Sequence, residues 1–278
     1  MSARPPPVDL DAYCGRIGHG GPLAPTLETL RALQALHVAA IPFEAIDALL
    51  GRGVDISPAA VDAKLIGVRR GGYCYEQNGL FRRVLRAVGF RVEGLLARVR
   101  WQLPEDAPPT PRTHMALRVE ADGAPWLADV GFGAAVPTAP LRMDTAEPQP
   151  TPHGPFRLLP SGDAGGWRVQ ARLGEGWATL YDLLPEPQLD VDYEPANWFT
   201  ATHPASPFRR SLIVARTTSE GRHTLLDGRL TVRAPGGDVE RRARLDADGI
   251  ERALAETFGL HVEPAWRAAI ERAAAAPG

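Results

Sequence analysis

Arg69-Arg70-Gly71-Gly72-Tyr73-Cys74-Tyr75-Glu76-Gln77-Asn78-Gly79-Leu80-Phe81 places one cysteine where a glycine-rich turn runs into a helix. From there the apolar residues fall at Leu80, Phe81, Val84, Leu85 and Val88, one helical face, and Gly89 follows as a stop. Cys74 is therefore expected near a helix N-terminus, facing unpaired backbone N–H groups and the positive end of the dipole. Such a setting favours thiolate over thiol. The two preceding glycines allow another chain or a ligand to approach the sulfur closely. A lone cysteine is most often a buried structural residue. Glu76, Gln77 and Asn78 directly after it argue against a plain apolar core and favour a nucleophile.

Around this stretch the pattern splits. Before it, Val8–Ile17, Thr26–Ala40 and a segment opened by Ser57-Pro58 read as helices, the second broken at Pro42. Cys14 is most simply a core residue, and Met1–Pro7 is expected to fray. After it, Phe90–Trp101 reads as strand. Met115–Val119 and Trp126–Val130 flank Asp122-Gly123, a strong hairpin signal. Phe156–Leu159, Trp167–Leu173 and Trp177–Leu183 continue a barrel-like sheet. Thr138–Pro155 reads as a surface loop that leaves His153 in solvent. Ser211–Arg216, Thr224–Leu226 and Leu230–Val232 read as strands, with a second hairpin turn at Asp227-Gly228. Gly249–Phe258 and Pro264–Ala275 close the chain as helices.

A cysteine nucleophile needs a base and a third group to orient it. With Asp122-Gly123 as a two-residue turn, Ala121 pairs with Ala124, so Asp129 falls opposite Ala116. His114 lies two residues from Ala116 and shares its face. His114 and Asp129 become diagonal neighbours on that face, ~7–8 Å apart at the backbone. A slip of one residue would separate them. An aspartate inside the apolar Trp126–Phe132 segment is costly unless paired. Glu76 is the rival partner, although it also suits the helix dipole as a first-turn charge.

The chain has 278 residues, is 44% hydrophobic and 23% charged, and carries a net charge of -2. That balance gives no electrostatic reason to expect nucleic acid or an anionic membrane as partner. With Cys14 and Cys74 as its only cysteines, the chain fits a reducing compartment better than a disulfide framework. No charged-then-apolar leader opens the sequence and no run of about 18 apolar residues occurs, so a soluble cytoplasmic protein is expected. Lys64 is its single lysine against 30 arginines, which reads as compositional bias.

Ile41-Pro42-Phe43-Glu44, the cysteine stretch, His114–Leu117 leading to Leu127–Gly133, and Phe199–Phe208 together resemble the arylamine N-acetyltransferases. The resemblance implies an α+β fold with a three-domain cysteine-protease-like architecture. Its parts would be a helical bundle carrying the cysteine (1–88), a β-barrel carrying histidine and aspartate (89–195) and an α/β lid (196–278). It implies a triad of Cys74, His114 and Asp129, with acetyl-CoA as cosubstrate and no permanently bound cofactor or metal. Small aromatic amines or hydrazines would accept the acetyl group, in xenobiotic metabolism. Phe43, Val99, Phe132 and Phe208 are candidate walls for a flat acceptor, and each could equally be core. Gly131 and Gly133 are candidates for backbone contact with the donor's phosphates. Ala45-Ile46 stands where the family commonly has Asn-Leu, and Tyr75 where it often has Phe; these departures bear on acceptor preference. Alternatives sharing the triad are an amide synthase of a polyketide pathway and a thiol hydrolase.

Overall fold

The computed structural model describes residues 7–162 and 165–277; most of the segment expected to fray therefore lies outside the described residues. The first part contains α1 (Leu10–Ile17), α2 (Leu27–Ala40), a two-residue strand β1 (Phe43–Glu44), α3 (Ile46–Leu49), α4 (Pro58–Asp62) and α5 (Cys74–Val88). Asp9 caps α1 through the Ala12 N–H, and Thr26 caps α2 through the Thr29 N–H. Pro58 takes the first position of α4, which runs on as a π-helical turn, Ala63–Gly67. Gly89 ends α5 in the left-handed region (φ 110°), and its N–H reaches Leu85 O and Arg86 O. Leu80, Phe81, Val84 and Leu85 are buried on the expected face.

Seven antiparallel strands follow: β2 (Arg91–Val99), β3 (Arg112–Ala121), β4 (Ala124–Ala128), β5 (Leu141–Arg142), β6 (Phe156–Ser161), β7 (Gly166–Leu173) and β8 (Gly176–Leu183). Their order is β5-β4-β3-β2-β8-β7-β6. Gln149 draws the two edges together: its side chain bonds Arg142 N and O on β5, and its backbone pairs with Phe156 on β6. The sheet thereby curls into a near-closed barrel. Leu95, Ala116, Leu127, Phe156, Val169 and Tyr181 fill the interior. The other face of β2–β4 is also covered, because Leu96, Met115, Leu117, Val119 and Trp126 pack against the helices. His114–Leu117 of β3 are therefore buried without a break, and burial alternates only from Leu117 to Ala121.

The segment Thr138–Pro155 is not the surface loop expected. It contributes β5 to the sheet, and Thr138, Leu141, Met143 and His153 are buried. His153 is bonded to Thr138 Oγ1 (3.1 Å) and donates from Nε2 to Thr218 O (2.7 Å).

The last part holds α6 (Asp190–Thr202), β9 (Ile213–Thr218), β10 (Gly221–Leu226), β11 (Arg229–Arg233), β12 (Val239–Arg244), α7 (Ala247–Arg252) and α8 (Arg267–Ala275). Here β1 returns to matter: the five-stranded sheet runs β1-β9-β10-β11-β12, with Phe43 opposite Ala215. One face of that sheet packs Val214, Leu225 and Leu230 onto Ile250 of α7, Ile270 of α8 and Phe258 between them. Among the described residues, no helix is long and apolar enough to cross a membrane.

Candidate active site

Cys74 is the first residue of α5 and is 4% exposed. Glycine is required on both sides of it. A Cβ on Gly71 would lie 2.1 Å from Pro42 O, and one on Gly131 would lie 2.7 Å from the Cys74 Cα. The loop after β4 therefore rests directly on the start of α5. The Cys74 Sγ lies 3.7 Å from Thr113 O, next to His114 in the chain.

The hairpin has the register read from its turn. Ala121 pairs with Ala124 and Leu117 with Ala128, so the ladder stops one step before Ala116 and Asp129. Asp122 (φ 49°) and Gly123 (φ 74°) both take the left-handed conformation that such a two-residue turn needs. His114 and Asp129 project from one face, with His114 Nε2 2.7 Å from Asp129 Oδ2. Asp129 is fully buried and receives four donors. His114 Nε2 and the Tyr181 hydroxyl (2.9 Å) reach Oδ2; Asn78 Nδ2 (2.9 Å) and the Gly131 N–H (2.8 Å) reach Oδ1. Asn78 stands one helical turn beyond Cys74 and also accepts the Val130 N–H, so α5 is latched to the hairpin through the carboxylate it serves.

Electrostatics follow from this enclosure. Burial by itself lowers the His114 pKa, but the Asp129 charge and hydrogen bond, helped by the nearby Cys74, outweigh it and raise it to about 10. Burial pushes Asp129 up, and His114, Asn78 and the Gly131 N–H together bring it below the usual carboxylate range. With Nε2 held by Asp129, Nδ1 is the ring nitrogen left for the sulfur.

The expected apolar walls fall into two groups. Phe132 packs edge-on to His114 at 5.1 Å between ring centroids and lies 5.2 Å from Tyr181 and 6.3 Å from Trp101. Val99 is on the same side, paired with Tyr181. Phe43 and Phe208 pair with each other at 5.9 Å, and Phe208 meets Tyr73 at 5.8 Å. Gly133 (φ 75°) sits over Phe43, where a Cβ would come 3.2 Å from the ring. The Gly131 N–H is committed to Asp129. Glu76 faces away from His114; it accepts the Tyr73 N–H (3.0 Å) and contacts Lys64 Nζ (2.7 Å).

Tyr181 escaped the sequence reading because strand pairing alone brings β8 to the site. Asn78 had a legible signal, its spacing of four from Cys74. Tyr181→Phe removes one donor from a buried carboxylate and should cost about 1.5–3 kcal/mol, the range for a hydrogen bond to a charged group. Urea denaturation measures it, and an unchanged stability would mean that Asp129 does not need the phenol.

A family model described as N-acetyltransferase matches residues 26–267. The arylamine N-acetyltransferase of Mycobacterium tuberculosis is 43% identical over 258 residues, covering 92% of this chain and 90% of that protein. The solved structure of Mycobacterium marinum arylamine N-acetyltransferase superposes with a TM-score of 0.91 at 38% identity, covering 96% of this chain and 100% of that one. A second structure of the M. marinum protein, in complex with CoA, gives a TM-score of 0.90 at 39% identity over 96% of this chain and 98% of that one. Fold and matches together define a three-domain acyltransferase of cysteine-protease-like architecture. The chain belongs to the arylamine N-acetyltransferase family.

Proposed function

We propose that the protein transfers an acetyl group from acetyl-CoA, through a thioester on Cys74, to the nitrogen of an aromatic amine or hydrazine. The observation that carries this reading is His114, held by Asp129 on one ring nitrogen and next in the chain to Thr113, whose carbonyl lies 3.7 Å from the Cys74 Sγ at the start of α5. The CoA complex of the M. marinum relative supports the donor. We take three domains as expected, the first lending β1 to the sheet of the third; because α6 begins at Asp190, we place the second boundary near residue 189 and not at 195. A cytoplasmic enzyme fits this reading.

In the first half-reaction the Cys74 sulfur attacks the thioester carbonyl, its proton passing to His114, and CoA leaves as the thiol after taking a proton back. The Cys74 backbone N–H is the natural donor to the developing oxyanion. In the second, the amine nitrogen attacks the acetyl carbon, His114 takes its proton, and the C–S bond breaks. Asp129 holds the ring orientation and stabilises its cationic form. Phe132 and Val99 beside His114, and Phe43 and Phe208 beside Tyr73, offer apolar surface to a flat acceptor and keep water from the thioester. With the Gly131 N–H already engaged, Gly133 is the better candidate for backbone contact with the donor.

Ping-pong kinetics test the scheme. Double-reciprocal plots at several acceptor concentrations should be parallel. An acyl-Cys74 mass should appear without acceptor and decay slowly in water. Intersecting plots, or an acyl-enzyme lost as fast without amine as with it, would leave a thiol hydrolase. Failure to turn over acetyl-CoA would favour an amide synthase.

A further inference from the structure

Of 31 basic Lys and Arg residues, 30 are arginine, and the single lysine occupies a partly buried position behind the nucleophile helix. Lys64, on the π-helical turn after α4, has a side chain 15% exposed. Its ammonium lies 2.7 Å from Glu76 Oε1, 2.8 Å from Asp47 Oδ2 and 3.9 Å from Glu44 Oε1. Arg70 closes the cluster from the other side, 2.8 Å from Glu44 Oε1 and 3.0 Å from Asp47 Oδ1. Arg52 and Glu263, 3.3 Å apart, pair at its rim. The inner cluster holds three carboxylates (Glu44, Asp47, Glu76) and two cations (Lys64, Arg70), a net charge of -1 in the interior.

Glu76 links this cluster to the site. Its Oε1 faces Lys64, while its Oε2 accepts the Tyr73 N–H at 3.0 Å, in the peptide immediately before Cys74. The carboxylate lies against Gly72, where a Cβ would come 2.7 Å from Oε2. Burial pushes the Glu76 pKa up to about 7, Lys64 and the Tyr73 N–H pulling it down and Glu44 adding to the rise. Without the ammonium, this carboxylate would stand unbalanced beside Glu44 and Asp47 and turn toward water, and the hydrogen bond to Tyr73 would be lost.

We propose that Lys64 is a positioning residue for acyl transfer: by neutralising Glu76 it holds the Tyr73–Cys74 turn, and so the sulfur, in register with His114. The proposal rests on the reading of Cys74 as the nucleophile. An ammonium suits the position because it is a compact charge whose donors meet two carboxylates from different elements, whereas a guanidinium is longer and planar.

The test uses the full chain and follows CoA release from acetyl-CoA in a single turnover, with intact mass for acyl-Cys74 and circular dichroism for folding. Lys64→Met should slow acylation by about tenfold or more at saturating acetyl-CoA, with the KM for acetyl-CoA kept within about twofold, as expected of a misplaced reacting group. Adding Glu76→Gln to Lys64→Met restores the inner charge from -2 to -1, and the amide oxygen can still accept the Tyr73 N–H. The double variant should therefore acylate faster than Lys64→Met by about threefold or more. A merely structural lysine would instead let the two losses accumulate. Acylation by Lys64→Met at the parent rate, or a double variant no faster than the single one, would overturn the proposal. If Lys64→Met does not fold, Lys64→Arg decides: it keeps the charge but not the compact fit, so acylation should fall by about threefold to tenfold with the KM for acetyl-CoA kept, and a parent rate or a loss beyond about tenfold overturns the proposal. A Cys74→Ala protein that still released CoA would overturn the nucleophile assignment itself, whatever Lys64 does.

Discussion

Cys74→Ala protein should transfer no measurable acetyl group, a fall on the order of 10⁶ in kcat, because a nucleophile and its base act as one unit. The same assignment predicts the order of thiol labelling. Cys14 is the more exposed cysteine, but burial and the neighbouring Asp11 charge push its thiol up. Cys74 is buried, yet it starts α5 with its sulfur 3.7 Å from Thr113 O, on the strand that carries His114. Reaction governed by access would modify Cys14 first. Iodoacetamide at neutral pH should instead label Cys74 much faster and abolish activity in step, as peptide mass spectrometry can follow. Equal labelling rates, or transfer surviving the alanine substitution, would remove Cys74 from the mechanism.

Asp129→Asn should lower kcat by roughly 10⁴-fold, as expected where a carboxylate orients a catalytic imidazole. Asparagine keeps the shape of the site but not its charge. Its NH₂ group can donate to His114 Nε2, which moves the ring proton to Nδ1, the nitrogen that should accept the thiol proton. Burial then acts on His114 almost unopposed and favours the neutral ring. In the parent protein His114 is held above its ordinary value, so its contribution to stability is complete below about 6.5 and is lost as pH rises through about 10. Asp129 is held below 3.8; its contribution is present above that value and is lost as pH falls through the folded one. The two describe a single contact, so the ion pair supports the fold between those limits. Asp129→Asn should abolish the alkaline limb. Urea midpoints measured from pH 7 to about 10 in both proteins check this, and an unchanged alkaline slope would mean that the pair does not carry it.

The departures from expectation share a cause. Thr138–Pro155 reads as loop because Pro and polar residues interrupt every period. Leu141 and Met143 nevertheless fill the barrel, and Gln149 closes it with both its side chain and its backbone. The helix α6 was not read as an element, since Pro195 lies inside it and its buried residues Tyr193, Asn197, Thr200 and Ala201 make a narrow, partly polar stripe. Glu76 was legible as a first-turn acid and as nothing more. Its partner Lys64 is twelve residues away on another element, and the carboxylates around that lysine come from β1 and α3.

Local physics determined the placement of the three proposed reacting groups. A glycine pair followed by an amphipathic period puts Cys74 at a helix start, and a two-residue turn with strands of period two puts His114 and Asp129 on one face. Both results need only short-range geometry, which a sequence states directly. Tertiary structure alone decided what surrounds them: Tyr181 on Asp129, β1 paired with β9, and three carboxylates gathered on the only lysine. These contacts join residues far apart in the chain. Loop closure and packing select them, and no local period records which partners will meet.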